Sequence, residues 1–280
     1  MPAATVLDAD WLGACRRAVE GLRGVLHDHP TSAERVVETG ERGEGGDQTL
    51  VIDAAAEEVV FGELDRLHAA GARFSALSEE RGHVDYGDPG VCVLIDPIDG
   101  SVNAKRGLPH HALSLAVAQG PTMADVEFGF VFDLGVGEEF WARRGQGAWL
   151  DGRRLDSGLP ERRDGDGRLE VVAVESTDPR SLAPSLAALG PRAHRLRAIG
   201  AMSLSLCQLA AVRVDGMLSL GRCRAVDVAA AQLVVRESGG HVSFVACDAP
   251  LSAPLDLEPR SPLAAARTPE GLRELSEVVG

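Results

Sequence analysis

Apolar residues return at steps of three or four through Trp11, Leu12, Cys15, Val19, Leu22 and Leu26, which predicts an amphipathic helix that Asp8 or Asp10 caps. The polar, glycine-rich stretch 38–47 predicts a mobile loop. The short apolar run 49–53 ends in Asp53, and a helix with Val59, Val60, Leu64 and Leu67 on one side follows it. Residues 73–77, 91–95, 113–118, 126–132 and 139–143 read as strands, and 145–152 as turn, short strand, turn. A break at 157–167, dense in glycine, proline and charge, is the best internal boundary. Beyond it, 169–174, 196–199, 216–220 and 262–266 predict strands. Residues 179–189, the stretch after Gly200 and the stretch from Asp227 to Gly239 predict helices. A last helix starts at Thr268, with Pro269 at its first position.

The acids fall at the ends of the strands. Residues 91–95 run straight into Asp96, Pro97, Ile98, Asp99, Gly100 and Ser101. Pro97 pushes Asp96 toward an extended conformation, and Gly100 permits a turn or a close approach of backbone to a ligand. Oxygen-only ligands in a tight group suit hard cations such as Mg²⁺. Asp-Pro and Asp-Gly are also common turn dipeptides, but the pair at the end of a buried strand, followed by a hydroxyl, points past a simple turn. The strand at 73–77 ends in Ser78, Glu79 and Glu80 in the same way. By itself Asp53 reads as a helix cap, and so does Asp227.

The net charge of −14 excludes broad binding of a nucleic-acid backbone. A bound metal nonetheless lets an acidic site attract phosphate. The five cysteines are widely spaced with no CxxC, so zinc and a redox pair are unsupported and reduced thiols in a cytoplasm are the simplest reading. The first residues lack a basic segment followed by an apolar run, so no signal peptide is expected, and no apolar stretch reaches membrane-spanning length. His110 and His111 have no partner at ligand spacing and read as structural or surface groups.

The run DPIDGSVN, Asp96 to Asn103, closely resembles the metal-binding signature of the inositol monophosphatase family. The resemblance extends over nearly the whole chain, through the Glu79-Glu80 pair, the Gly-x-Gly-Ala pattern at Gly145, and Asp227 opening a helix that ends in Glu237-Ser238-Gly239-Gly240. It implies an α+β or α/β fold, a layered α-β-α-β-α sandwich. Residues 1–156 would carry most metal ligands and residues 157–280 would carry Asp227 and a substrate turn, as one catalytic unit. It also implies a Mg²⁺-dependent, lithium-sensitive phosphomonoesterase, dimeric, acting on a small phosphorylated polyol or sugar through two or three ions. Glu79, Asp96 and the Ile98 carbonyl would hold one ion, and Asp96, Asp99 and Asp227 another. Asp53 and Ser101 would orient and deprotonate the attacking water. Substrate would meet Ile98, Asp99, Gly100, Ser101, Asp227 and the turn Gly200-Ala201-Met202, whose free backbone N–H groups favour an anion.

The chain departs from the family pattern in places. Ser78 stands where glycine is frequent, Ser101 where threonine is commoner, and Val226 where tryptophan is usual. Leu220 stands where inositol phosphatases carry a glutamate that bonds ring hydroxyls. An apolar side chain there cannot read a polyol, while Arg222 and Arg224 offer bidentate contacts to a second phosphate. That pattern looks more like the archaeal-type members that accept fructose 1,6-bisphosphate. A 3′-phosphonucleotide phosphatase and a non-catalytic binder of a phosphorylated ligand are the alternatives. The first would need a base-stacking pocket from an aromatic content of 4%, and the second would fit the loss of a metal carboxylate, of which none is lost.

Overall fold

The computed structural model describes residues 6–42, 44, 48–175, 178–258 and 261–279. Its helices are α1 (Trp11–Asp28), α2 (Ser32–Arg35), α3 (Val51–Ala69), α4 (Ser101–Arg106), α5 (Pro179–Leu189), α6 (Met202–Ala210), α7 (Ala225–Glu237) and α8 (Pro269–Val279). The first half holds strands β1 (Glu38–Arg42), β2 (Gln48–Leu50), β3 (Ser75–Ser78), β4 (Gly82–Asp85), β5 (Cys92–Asp99), β6 (Ala112–Ala118), β7 (Val126–Asp133), β8 (Glu139–Arg143), β9 (Gly147–Leu150) and β10 (Arg153–Arg154). The second half adds β11 (Leu169–Glu175), β12 (Ala193–Arg197), β13 (Gly216–Cys223), β14 (His241–Phe244) and β15 (Ser261–Ala266).

Five layers result. α1 and α3 lie on one face of an eight-stranded sheet of order β10-β9-β8-β7-β6-β5-β3-β4. The Asp10 carboxylate caps α1 by accepting from Gly13 N at 3.0 Å, and Trp11, Cys15, Ala18, Val19 and Leu22 face inward. Each large apolar side chain buried this way contributes about 1.5–3 kcal/mol. α6 and α7 fill the middle layer, between that sheet and a five-stranded one of order β12-β11-β13-β15-β14. α5 and α8 cover the outer face of the second sheet. α7 is buried from Ala225 to Val235, which its run of small residues at Ala229, Ala230 and Ala231 permits. The expected α-β-α-β-α sandwich is the one observed.

Local boundaries differ where tertiary pairing overrides local pattern. Residues 38–42 form β1 and pair antiparallel with β2, so most of the described part of the expected loop is a β-ribbon. Residues 43 and 45–47 lie outside the described residues. Leu50 ends β2 and α3 begins at Val51, so Asp53 sits in the first helical turn and does not cap the helix. β5 runs through Pro97 to Asp99, beyond the expected end at Ile95, because β6 continues alongside to Ala112. β13 extends through Arg222 and Cys223, beyond the expected end at Leu220.

Candidate active site

β5 is bulged where its acids lie. Asp96 pairs with Ser114 and Asp99 with Ala112, so β5 advances three residues while β6 advances two. Pro97 supplies no ladder donor there, and a bulge is where a strand interior tolerates proline. In a regular strand residues three apart face opposite sides. The extra residue turns the Asp99 carboxylate back into Coulomb range of Asp96. Asp96 Oδ1 accepts from Ile98 N at 3.0 Å, which pins the kink. Gly100 then takes φ +83° as the N-cap of α4. A Cβ at Gly100 would fall 2.9 Å from His110 O and 3.0 Å from Gly200 O, so the two halves of the molecule meet on this glycine.

Glu79 comes from the turn between β3 and β4, and Asp227 from the first turn of α7. Arg224 is the N-cap residue of α7, and its backbone N–H donates to Asp227 Oδ2 at 2.9 Å. Its guanidinium folds back onto the acids. Nη2 lies 3.1 Å from Asp227 Oδ1, Nε lies 3.2 Å from the same oxygen, and Nη1 pairs with Glu79 Oε1. Burial works against the charge on Arg224, but Asp227, Glu79 and Asp96 together hold its guanidinium above the usual arginine value. Burial, followed by repulsion from Asp99, Asp227 and Glu79, pushes the Asp96 carboxyl well up. Burial, reinforced by Asp227 against the opposing Ser203 hydrogen bonds, pushes Asp99 up to about 7. Buried carboxylates therefore outnumber cations here, and every donor is oxygen, which is the chemistry of a hard-cation site. Among the described residues no three acids are yet drawn together closely enough to hold an ion.

Beside these acids lies a cleft of about 210 Å³ lined by Asp53, Glu57, Glu79, Glu80, Asp96, Ile98, Ser101 and Lys105, among others. Ser101 and Lys105 are four residues apart on α4, hence on one face. Lys105 Nζ stands 3.6 Å from Asp53 Oδ2. Burial raises the Asp53 carboxyl, and Lys105 opposes the shift. Glu80 accepts from the Thr49 hydroxyl, and burial raises its carboxyl too. Sequence reasoning missed Lys105, although its spacing from Ser101 was a readable signal. It also missed Thr49 and Glu57, which carry no motif.

The turn before α6 corrects an expectation. Its N–H groups at Gly200 and Met202 are already accepted by the protein's own carboxylates. Glu175 accepts from Ile199 N at 3.1 Å and from Gly200 N at 3.1 Å. Asp99 accepts from Met202 N at 3.3 Å, from Ser203 N at 2.7 Å and from the Ser203 hydroxyl. The anion at this helix N-terminus is Asp99 itself, so the turn serves to orient that carboxylate. Ala201 is buried. Asn103 ties the turn to α4, donating from Nδ2 to Ile199 O and to His110 O, both at 2.8 Å. Leu220 packs against the outer cluster under α5 and α8, away from the middle layer. The Arg222 side chain lies outside the described positions.

The family model described as the inositol monophosphatase family matches residues 6–279. A fructose-1,6-bisphosphatase/inositol-1-monophosphatase of Methanothermobacter thermautotrophicus is 31% identical over 245 residues, covering 83% of this chain and 84% of that one. Nus factor SuhB of Escherichia coli is 35% identical over 211 residues, covering 74% of this chain and 75% of its own. A solved structure of an inositol monophosphatase–fructose 1,6 bisphosphatase superposes with a TM-score of 0.76 at 21% identity, over 96% of this chain and 99% of that one. A Pyrococcus horikoshii protein with similarities to inositol-1 monophosphatase gives 0.75 at 20% identity, over 96% and 98%.

Proposed function

Because this chain belongs to the inositol monophosphatase family and is a phosphoric monoester hydrolase, we propose that it hydrolyses a small phosphorylated polyol or sugar, with Mg²⁺ held by Glu79, Asp96, the Ile98 carbonyl, Asp99 and Asp227. The observation that supports the reading is that Asp99, Asp227 and Glu79 all lie within Coulomb range of the buried Asp96 carboxyl, with the Arg224 guanidinium bridging Glu79 and Asp227. When bound, Mg²⁺ neutralises phosphate charge and makes a water acidic enough to attack. Asp53 and Ser101 share the adjacent cleft and take the water's proton and orientation. Burial makes Asp53 the stronger base, and the nearby Lys105 ammonium steadies its charged form. The backbone N–H groups at Gly100 and Ser101 hold phosphate oxygens, and the attack is a direct displacement by water with no covalent phosphoenzyme.

A bisphosphate substrate is the second reading. It is favoured by the Methanothermobacter relative, whose name carries both activities, and by Leu220, which packs into the outer core and offers a polyol no hydrogen bond. The deciding experiment is a phosphate-release screen in millimolar Mg²⁺ over inositol phosphates, sugar bisphosphates, histidinol phosphate and 3′-phosphonucleotides. Turnover of several sugar and polyol phosphates, with only a modest preference for inositol 1-phosphate, is the expected result. Full turnover in EDTA would overturn the metal reading, and a strong preference for inositol phosphate would overturn the inference from Leu220.

A further inference from the structure

Arg224 makes more contacts than a helix cap requires. Its backbone N–H already satisfies Asp227 Oδ2, which closes the first turn of α7 without any help from the side chain. The guanidinium nevertheless turns inward, with its side chain 18% exposed, and joins an acid beside the first sheet to one in the first turn of α7. Glu79 belongs to the β3–β4 turn of the first sheet, while Arg224 follows β13 of the second. The pair therefore ties the first sheet to the segment that follows β13 of the second. β13 carries two extra residues against β15 between Ser219 and Cys223, and this irregularity precedes the turn that delivers Arg224.

The oxygens Arg224 holds are on the acids assigned above to the metal. Nη1 takes Glu79 Oε1, and Nη2 with Nε takes Asp227 Oδ1. A divalent ion would compete with the guanidinium for these oxygens, and two cations a few ångströms apart in a buried site repel strongly. Without any positive charge, the buried Asp96, Asp99 and Asp227 carboxylates would repel one another and Glu79 with no cation to offset it. The two cations therefore compete for the same place among these acids. Taking the metal reading of the site as its premise, we propose that Arg224 is a tethered counter-ion: it closes the metal-free site, must swing out when Mg²⁺ enters, and thereby sets this chain's metal affinity.

The coupling is reciprocal, since whatever weakens Arg224 in the site tightens the metal by the same factor. The test is calorimetric titration of Mg²⁺ alone into wild type, Arg224→Gln and Arg224→Lys, without substrate, alongside thermal unfolding with and without Mg²⁺. Arg224→Gln should bind Mg²⁺ about tenfold more tightly or better, and should unfold at a lower temperature when metal-free, with Mg²⁺ restoring more than it adds to wild type. Arg224→Lys keeps the charge and should stay near wild type. Equal or weaker Mg²⁺ binding by Arg224→Gln overturns the proposal, even if the variant is less stable, because a purely structural arginine would give that pattern. A wild type that binds no Mg²⁺ fails the metal reading first, and the proposal with it.

If Arg224→Gln does not fold, the wild type carries the test through ¹⁵N-arginine side-chain spectra, assigned against Arg224→Lys. The Arg224 Nε–H signal should be protected without metal and should shift or lose protection at saturating Mg²⁺. An unchanged signal overturns the displacement.

Discussion

At the scale of single residues, the site depends on where carboxylates sit and what each one faces. Ser101 lines the cleft with Asp53 and lies outside the group of acids that gathers around Arg224. Ser101→Ala should therefore leave Mg²⁺ binding intact and lower kcat on the order of 10²-fold, as expected for a lost positioning and proton-transfer contact. Calorimetry showing that the variant no longer binds metal would assign Ser101 a different role. Glu175 makes a separate, pH-dependent contribution. Its carboxylate is buried under the Gly200 turn, and burial raises it above the ordinary glutamate value of 4.5 although Ser205 and the backbone N–H groups bond to it. An acid raised on folding binds more protons in the native state than in the unfolded chain. The stability it lends is therefore complete below the unfolded value and declines as pH rises through the folded one. Glu175→Gln keeps an acceptor at the same place and removes the titration. In urea unfolding, wild type should lose its advantage over this variant as pH rises above the ordinary glutamate value, and a difference independent of pH would rule the linkage out.

At the scale of elements, the junction of β5 and α4 concentrates the constraints. Gly100 holds φ +83° and has backbone oxygens from two loops within 3.0 Å of a Cβ position. Gly100→Ala should destabilise by about 1–3 kcal/mol from the strained backbone alone, with crowding added. Activity should fall further than stability, because Asp99 and Ser101 flank the residue. A variant with wild-type unfolding in urea and wild-type turnover would show that the junction can relax. This junction was legible from sequence because its signals are local: a proline, a glycine and two acids at fixed spacing after a buried run. The bulge that brings Asp96 and Asp99 together was not legible, since it is defined by register against β6. The β1–β2 ribbon was hidden for a related reason, because its glycines and charges resemble those of a loop until the partner strand is known. Asp227 read as a cap because capping acids and first-turn acids differ by only a few positions. The residue at the cap was Arg224, whose long side chain gave no hint that it would fold back. The occupied N–H groups at Gly200 were out of reach as well, since Glu175 lies 25 residues away in sequence and Asp99 meets Met202 across 103.

At the scale of the whole molecule, α7 is the element through which the two sheets communicate. It packs on β5, β6, β7, β8 and β9 of the first sheet and on β14 of the second, and its first turn holds Asp227. The position of that carboxylate relative to Asp96 therefore depends on how closely the helix approaches the sheet. The approach is set by Gly129 in β7, where a Cβ would lie 2.5 Å from Ala230 O and 3.0 Å from Ala230 Cα. Backbone cannot yield as the end of a flexible side chain can, so Gly129→Ala must push α7 outward. The expected cost is about 1–3 kcal/mol of stability, typical of an overpacked core. Mg²⁺ binding should weaken too, because Asp227 moves with the helix while Asp96 stays on β5. Gly62 supplies the control. It lies on the exposed side of α3 with nothing within 4 Å of its Cβ position, so Gly62→Ala removes unfolded-state entropy and crowds nothing. That variant should gain roughly 0.5–1 kcal/mol and leave Mg²⁺ affinity unchanged. Urea unfolding together with calorimetry of both variants separates the effects. If Gly129→Ala lost stability while its Mg²⁺ affinity matched that of Gly62→Ala, the seating of α7 would matter to the core but not to the site.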